Sequence, residues 1–441
     1  MISRQRTILS ISLAVFLFSS IPWGCHAHPA PDTLTLKGLY RVVAEGHPAL
    51  KKAGLIERRS TLSRRSINFS WLPQFDLEGS AVYQSEVTSI DPEFPPELQI
   101  GELSFPSPEK DQYRAELKVS QMIFDGGVTS ARNELLEKEA AVDQKEVESE
   151  YYRIKEIITG YYFAILTLRK EMGIAGTVTA DLSEQRKMLQ SGLVHGAVRE
   201  SAVRELETRI IQSEQKVISI QMELCSAFEA VEEIAGIAID TSAVLVIPEF
   251  SCPYPREESP RYKRPELEVL DLQMERAHSA EKLIFRESLP RIHGFATLGY
   301  GRPGLNMMSD QFDSYYMAGV VLSWNPFDWG DNSRERDIRR INGRIIKRSR
   351  ESLMRNISAQ LRNAGRSIEK YDRMLEKDRQ ILRLRERIAE VKRSRFRNGD
   401  ITADDYISEI NRLEQARLNM EKDRIGLQKA KVDYLMIKGE L

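Results

Sequence analysis

Four short segments of the chain alternate between apolar and polar residues with a period of two, which predicts β-strands. They span about 74–84, 113–123, 291–300 and 315–325. In the first segment Phe75, Leu77 and Tyr83 alternate with polar residues such as Asp76 and Glu78. Alternation puts the two kinds of side chain on opposite faces of a strand. Each strand is therefore expected to have one apolar and one polar face.

The remaining pattern is helical and unusually long. No proline occurs within residues 129–190 or 334–398, and at ~1.5 Å per residue either stretch would reach roughly 90 to 100 Å as a continuous helix. Near the C-terminus, two ladders of apolar residues recur at seven-residue spacing: Leu413, Met420, Leu427 and Tyr434, and then Leu418, Ile425 and Val432. Because the ladders lie on different faces, this last helix is predicted to pack between two neighbours.

The two halves of the chain contain the same short motifs in the same order. Their spacing is too long for a solenoid repeat. The matching segments are His47-Pro48 with Arg264-Pro265, Leu72-Pro73 with Leu289-Pro290, and Phe124-Asp125-Gly126-Gly127 with Phe327-Asp328-Trp329-Gly330. The sequence therefore predicts a signal peptide at 1–27 and two pseudo-repeats, 28–250 and 251–441. Each contains two strands and a long helical hairpin, with tips near 192 and 399.

Four strands are too few to close a barrel and would leave unpaired edges. Their length nevertheless suits a tilted strand that crosses a membrane, and the charged residues of their polar faces suit a water-filled lumen. Those residues are Asp76, Glu78, Arg114, Glu116 and Lys118. Since no backbone group can stay unpaired in lipid, the chain is predicted to borrow strands from copies of itself, and three copies would supply twelve.

Composition and the N-terminus indicate the compartment. A net charge of −1 gives no case for a nucleic-acid partner. Arg4 and Arg6 precede a short apolar stretch at residues 8–18, the pattern of a secretory signal. Cys25 is either removed by cleavage near Ala27 or becomes the lipidated first residue of the mature chain. For Cys225 and Cys252, both a disulfide and two separate thiols remain open.

Several motifs together resemble the TolC family of outer-membrane efflux and secretion channels (outer membrane factors). The opening helix from Thr35-Leu36 to Pro48-Ala49-Leu50 is similar to that of the family, with His47 in place of its asparagine. The segment from Ser120 to Gly127 resembles the end-of-strand motif, and the segment from Phe396 to Ile407 resembles the second hairpin tip. These matches cover nearly the whole mature chain, and their order and duplication support the resemblance.

The resemblance implies a mainly α fold with a small membrane β part: a homotrimer with a twelve-stranded β-barrel, four strands from each chain, continued by a long antiparallel helical tunnel. It implies a passive duct in the outer membrane of a Gram-negative bacterium, with outer-membrane lipid around the barrel and the helices in the periplasm. The expected partners are a periplasmic adaptor (membrane fusion protein) and an inner-membrane pump. The cargo is not identified, and both efflux and type I secretion fit.

The resemblance also implies functional positions. The family narrows the inner end of the tunnel with acids after the second tip glycine. Asp405 occupies the first such position, Ser408 stands at the second, and Asp404 and Glu409 are candidate substitutes. The alternative role of Asp405 is that of an acid in the first turn of a helix, where it stabilises the helix start, and both roles can coexist. The expected adaptor contacts are Gly192, Leu193 and Val194 at one tip, and Asn398, Gly399, Asp400 and Ile401 at the other; simple helix interruption is the alternative for the glycines.

No catalytic constellation is predicted, nor any cofactor or metal site. Residues 299–304 match G-x-G-x-x-G formally, but Pro303 and the polar run after it do not open the helix that a dinucleotide site needs. The five histidines after the signal are scattered in sequence and give no support for a metal cluster. Since no catalytic constellation is present in the sequence, we expect a protein that is not an enzyme. A periplasmic coiled-coil adaptor or scaffold is the alternative class, since such proteins also contain long heptad hairpins.

Overall fold

A computed structural model of the chain describes residues 33–88, 107–195, 198–241, 243–250, 262–307 and 309–441. The predicted signal peptide, Cys25 and Cys252 lie outside these ranges. Cys225 is half-buried and forms no disulfide with any residue that the structure describes. The division into two pseudo-repeats and a signal peptide remains a prediction.

The described residues form seven helices and six strands, and the prediction of a mainly helical chain with a small antiparallel sheet is confirmed. In chain order they are β1 (Thr33–Leu34), α1 (Leu36–Gly46), α2 (Pro48–Phe69), β2 (Gln74–Tyr83), β3 (Asp111–Phe124), α3 (Val128–Val194), α4 (Glu200–Ala235), β4 (Val244–Leu245), α5 (Pro265–Glu287), β5 (Arg291–Arg302), β6 (Asp313–Ser323), α6 (Asp331–Arg397) and α7 (Ala403–Lys438). Helices α3 and α6 both have 67 residues, and α4 and α7 both have 36. At ~1.5 Å per residue, each long helix spans about 100 Å.

The turn from strand to long helix is built in the same way in both halves. Asp125 accepts hydrogen bonds from the backbone N–H groups of Gly127 and Thr129, at 2.8 and 2.6 Å. Asp328 accepts the equivalent pair at 2.9 and 2.8 Å. These N–H groups have no partner inside the helix. The aspartate of the repeated Phe-Asp-x-Gly motif therefore fixes the start of each 67-residue helix.

The four long strands and four of the helices form one continuous wall. The sheet has the order β2-β3-β5-β6 with antiparallel pairing throughout. The helices that continue these strands follow the same order, since α2 packs on α3, α3 on α5 and α5 on α6. Ion pairs such as Lys282 with Glu134 and Arg350 with Asp271 join the neighbouring helices. The wall ends at β2 and α2 on one side and at β6 and α6 on the other.

Beyond the wall, α3 pairs with α4 and α6 with α7, and α7 also contacts α3. The prediction that α7 packs between two neighbours is confirmed. Ile425 and Val432 lie in the largest core cluster, which contains α3, α4 and the short helix α1. Tyr434 and Leu427 lie in a separate cluster with residues of α6. A third cluster, near the hairpin tips, joins α3 and α4 to α6 and α7.

Candidate functional site

The sheet has a continuous apolar face that is exposed in the single chain. One register row across it consists of Leu77, Leu117, Leu298 and Tyr316, and three of the four side chains are exposed. Eight positions separate Phe75 from Tyr83 along β2. At ~3.3 Å per residue and a tilt near 40°, eight positions make a band about 20 Å tall.

Aromatic side chains border this band at both ends, a feature that the sequence analysis missed. At the loop end lie Tyr83, Tyr113, Tyr300 and Tyr316, and at the helix end lie Trp71, Trp324, Phe327 and Trp329. Phe312 stacks between Tyr113 and Tyr300, with ring centroids 6.3 and 5.6 Å away. The signal was present in the sequence, because a tyrosine stands at the loop end of each alternating segment.

The opposite face of the sheet joins four of the five predicted charged residues, Glu78, Arg114, Glu116 and Lys118, in one network. Lys118 forms ion pairs with Glu78 and, at 3.2 Å, with Glu116. The hydroxyl of Tyr315 donates to Glu116 Oε1 at 2.6 Å, from two strands away. Its ring crosses β5 over Gly299, where a Cβ would collide with it. Glycine at this position therefore allows the network to span the sheet.

Asp405, the first predicted constriction residue, lies in the first turn of α7. Thr402 Oγ1 accepts from the Asp405 backbone N–H at 3.1 Å, and Asp405 Oδ2 accepts from the Thr402 backbone N–H at 3.3 Å and from the Thr402 hydroxyl at 2.7 Å. This reciprocal capping box is the structural role that the sequence left open. The hydrogen bond from Thr402 also lowers the pKa of the Asp405 carboxyl below its usual value, so the exposed group carries its charge at neutral pH.

The other three candidate constriction residues have different surroundings. Asp404 is exposed and Ser408 is half-buried. Glu409 is only 1% exposed and forms ion pairs with Arg385 at 3.2 Å and Arg412 at 3.6 Å. The charge of Glu409 is therefore balanced within the chain, whereas those of Asp404 and Asp405 face solvent.

The first tip contains Gly192, Leu193 and Val194 in the last turn of α3. A Cβ on Gly192 would lie 2.6 Å from Val198 Cγ2, so this glycine allows the chain to fold back closely towards α4. The side chains of Leu193 and Val194 are exposed. The tip therefore presents two apolar side chains to solvent.

The second tip ends α6 with a left-handed glycine. Gly399 has φ 80°, and the N–H of Asp400 donates to Arg395 O at 2.9 Å, as in a Schellman motif. Asn398, Gly399 and Asp400 are exposed, and Ile401 packs against the tip cluster. Gly192 and Gly399 therefore lie where a helix is interrupted, which is the alternative role that the sequence left open. The surface around them is exposed in the single chain.

A polar clasp joins the two hairpins just above the tips. Asp181 of α3 accepts hydrogen bonds from Arg393 at 2.8 Å and from the Tyr406 hydroxyl at 2.7 Å. Tyr406 is fully buried and stacks on Phe396 with ring centroids 4.8 Å apart. Burial raises the pKa of Tyr406, so its hydroxyl remains a donor at neutral pH. No local sequence pattern predicts this clasp, because Asp181 lies more than 200 positions from both of its partners.

Within the described ranges, no group of three or more His, Cys, Asp or Glu side chains is arranged to hold a metal ion. None of the helices described here combines the length and the apolar composition needed to cross a membrane.

Comparisons with solved structures identify the fold. The outer-membrane channel OprN covers 92% of this chain over 90% of its own, with 14% identity and a TM-score of 0.70. The match to the Campylobacter jejuni outer membrane channel CmeC covers 92% of this chain and 85% of CmeC, also with 14% identity and a TM-score of 0.70. The match to the Neisseria gonorrhoeae outer membrane channel MtrE, in its open state, covers 92% of this chain and 88% of MtrE, with 16% identity and a TM-score of 0.66.

No family model and no curated protein sequence matches the chain. The fold is that of the outer-membrane channel proteins, and the resemblance drawn from the sequence motifs is confirmed at that level.

Proposed function

We propose that three copies of this chain form an outer-membrane channel, a passive duct for efflux or type I secretion. The observation that carries the proposal is the wall of strands continued by helices, which has no further partner at either edge among the residues that the structure describes. Backbone groups at such an edge need partners in lipid. Three copies of the four-stranded sheet supply a twelve-stranded barrel, and the helices continue it as a tunnel through the periplasm.

Exposed apolar ladders on the outer helices support pairing with neighbouring copies. The edge of α2 carries Leu55, Leu62 and Phe69, and the near-membrane edge of α6 carries Ile338, Ile341 and Ile345. Further along, α4 carries Ile211, Ile218 and Met222, and α6 carries Ile381, Leu384, Ile388 and Val391. Their spacings of three, four and seven residues are those of helix–helix seams. Helix α6 of one copy then packs on α2 and α4 of the next.

The two faces of the sheet support the membrane position of the barrel. The apolar face, bordered by aromatic residues, suits lipid on the outside, and the charged network of Glu78, Glu116 and Lys118 suits a water-filled lumen. The chain then lies in the outer membrane of a Gram-negative bacterium. Its helices extend into the periplasm towards an inner-membrane pump.

At the inner end, Asp405 of each copy forms the constriction. Three like charges that converge on one axis attract cations and set selectivity at a narrow mouth. Asp404 adds a second exposed acid, and Ser408 adds none. The tips dock a periplasmic adaptor through Leu193 and Val194 on one hairpin and through Asn398, Gly399 and Asp400, beside Ile401, on the other.

Single-channel conductance in planar bilayers tests the proposal. Wild-type protein is expected to form discrete cation-selective pores, and Asp405→Ala pores are expected to be wider or less selective. Glu200→Gln is the matched control, because Glu200 is also an exposed first-turn acid near a tip. Pores that are unchanged by Asp405→Ala remove the constriction role but keep the duct. Well-folded protein that forms no pores contradicts the duct and favours the scaffold class.

A further inference from the structure

Trp329 occupies a backbone conformation that its counterpart in the other half leaves to glycine. The turn between β3 and α3 holds Gly126 at φ 68°, and the matching turn between β6 and α6 holds Trp329 at φ 54°. A Cβ disfavours this left-handed region. The indole is nevertheless 81% exposed. A strained conformation that exposes a large aromatic side chain indicates a partner outside the chain.

The glycine turn shows what this position contacts inside the chain. Gly126 lies against the corner between α5 and β5, where an added Cβ would be 2.8 Å from Leu289 Cβ and 3.2 Å from Arg286 O. The repeat pairs Leu289-Pro290 with Leu72-Pro73 and thus pairs this corner with the one between α2 and β2. In the interior of the wall, a strand-to-helix turn therefore packs on a helix-to-strand corner with no room for a side chain.

The same two parts are free at the two edges of the wall. The turn that contains Trp329 lies at the β6 and α6 edge, and the corner at the β2 and α2 edge exposes Phe69, Trp71 and Leu72. Edge-to-edge pairing of copies brings this turn to this corner. With tryptophan in place of glycine, the seam between copies must be wider than the contact within a chain, and the indole is the side chain available to fill it.

We propose that Trp329 of each copy packs on Phe69, Trp71 and Leu72 of the next copy, forming an aromatic contact at every seam beside the membrane. The proposal rests on the trimer of the proposed function. Two contacts prepare the turn for this role. The Phe327 ring packs edge-on against the indole, with centroids 4.9 Å apart, and Arg334 donates to Trp329 O at 2.9 Å.

Cysteine cross-linking in membranes tests the geometry, in a background with Cys225→Ser and Cys252→Ser. Trp329→Cys combined with Leu72→Cys is expected to give covalent dimers and trimers on non-reducing gels after mild oxidation, whereas each single variant gives none. Leu298→Cys combined with Leu72→Cys is the matched control, because Leu298 is exposed on an inner strand away from the edges. Equal cross-linking in the control, or none in the test pair, overturns the proposal.

A stability measurement tests the contact without new chemistry. Trp329→Gly suits the left-handed turn, so the protomer is expected to fold while its SDS-resistant trimer dissociates at a lower temperature. Trp324→Leu changes another exposed tryptophan, which lies on the apolar sheet face, and is expected to cause no such shift. Equal shifts in both variants, or quenching of Trp329 fluorescence by brominated lipid, overturn the proposal in favour of a lipid contact. A wild type that forms no trimer contradicts the proposed function itself.

Discussion

The clasp of Asp181, Arg393 and Tyr406 is predicted to hold the hairpin tips together, and Asp181→Asn is the perturbation that tests it. Asparagine keeps the size of the side chain but removes the charge that both donors share. The amide oxygen can still accept one weaker bond. The change therefore weakens the contact between α3 and the second hairpin without leaving a cavity.

The expected magnitude follows from the exposure of each partner. Arg393 is 41% exposed and Asp181 19%, so screening by solvent limits this ion pair to about 0.5 kcal/mol. The Tyr406 hydroxyl is buried, and a hydrogen bond from such a group to a charged acceptor contributes about 1.5 to 3 kcal/mol. Since asparagine retains part of the second bond, the net loss is expected to be about 1.5 kcal/mol, which is roughly a tenfold change in an opening equilibrium.

Hydrogen exchange of the intact protein in detergent or bilayers measures this opening. In Asp181→Asn, amides around residues 396–410 are expected to exchange roughly tenfold faster, while amides of the strands remain unchanged. Arg204→Gln is the control, because it removes an ion pair beside the first tip whose side chains are 74% and 64% exposed. If both variants change tip exchange equally, or if neither does, the clasp does not hold the tips.

Three further predictions concern single residues. Burial and the neighbouring Asp423 raise the pKa of the Asp378 carboxyl to about 6. Between about pH 4 and 6 the unfolded chain therefore binds fewer protons than the folded chain. The free energy of unfolding then falls as pH rises through that window. Solvent screening limits the loss to about 1 kcal/mol, and thermal unfolding against pH should show a flatter profile for Asp378→Asn. Glu409→Gln leaves Arg385 without its buried acid and should destabilise the tips by about 2 kcal/mol in hydrogen exchange, with cation selectivity unchanged. Gly299→Ala displaces the Tyr315 ring from Glu116 and should lower the dissociation temperature of the trimer more than Tyr315→Phe, which removes only the hydroxyl.

The strands and helices could be predicted from sequence because their signals are local. Alternation placed the β2 strand at 74–84, and the structure has it at Gln74–Tyr83. The two apolar ladders of α7 correctly predicted that it packs on two sides, because one ladder lies in the cluster with α3 and α4 and the other in the cluster with α6. Residues close in sequence determine both features.

The candidate site depends on contacts that local sequence does not contain. The Asp181 clasp joins residues 212 and 225 positions apart, and Glu409 is neutralised by Arg385 on another helix. The family resemblance therefore pointed to the acids near the tip, but the sequence could not tell an exposed acid from a buried one. Only the packing of α6 against α7 separates Asp405 from Glu409.

The contacts between the two hairpins suggest where the proposed duct opens. Besides the clasp, Glu414 of α7 is buried between Arg209 at 3.0 Å and Lys216 at 2.6 Å, both on α4, and Lys422 pairs with Glu171 of α3 at 2.6 Å. Polar bonds can be replaced by water when the hairpins separate, whereas exposed apolar surface costs about 25 cal/mol per Å². These polar contacts are therefore expected to open first, whereas separating the apolar cluster at the tips costs further free energy. The wall beside the membrane is expected to stay closed.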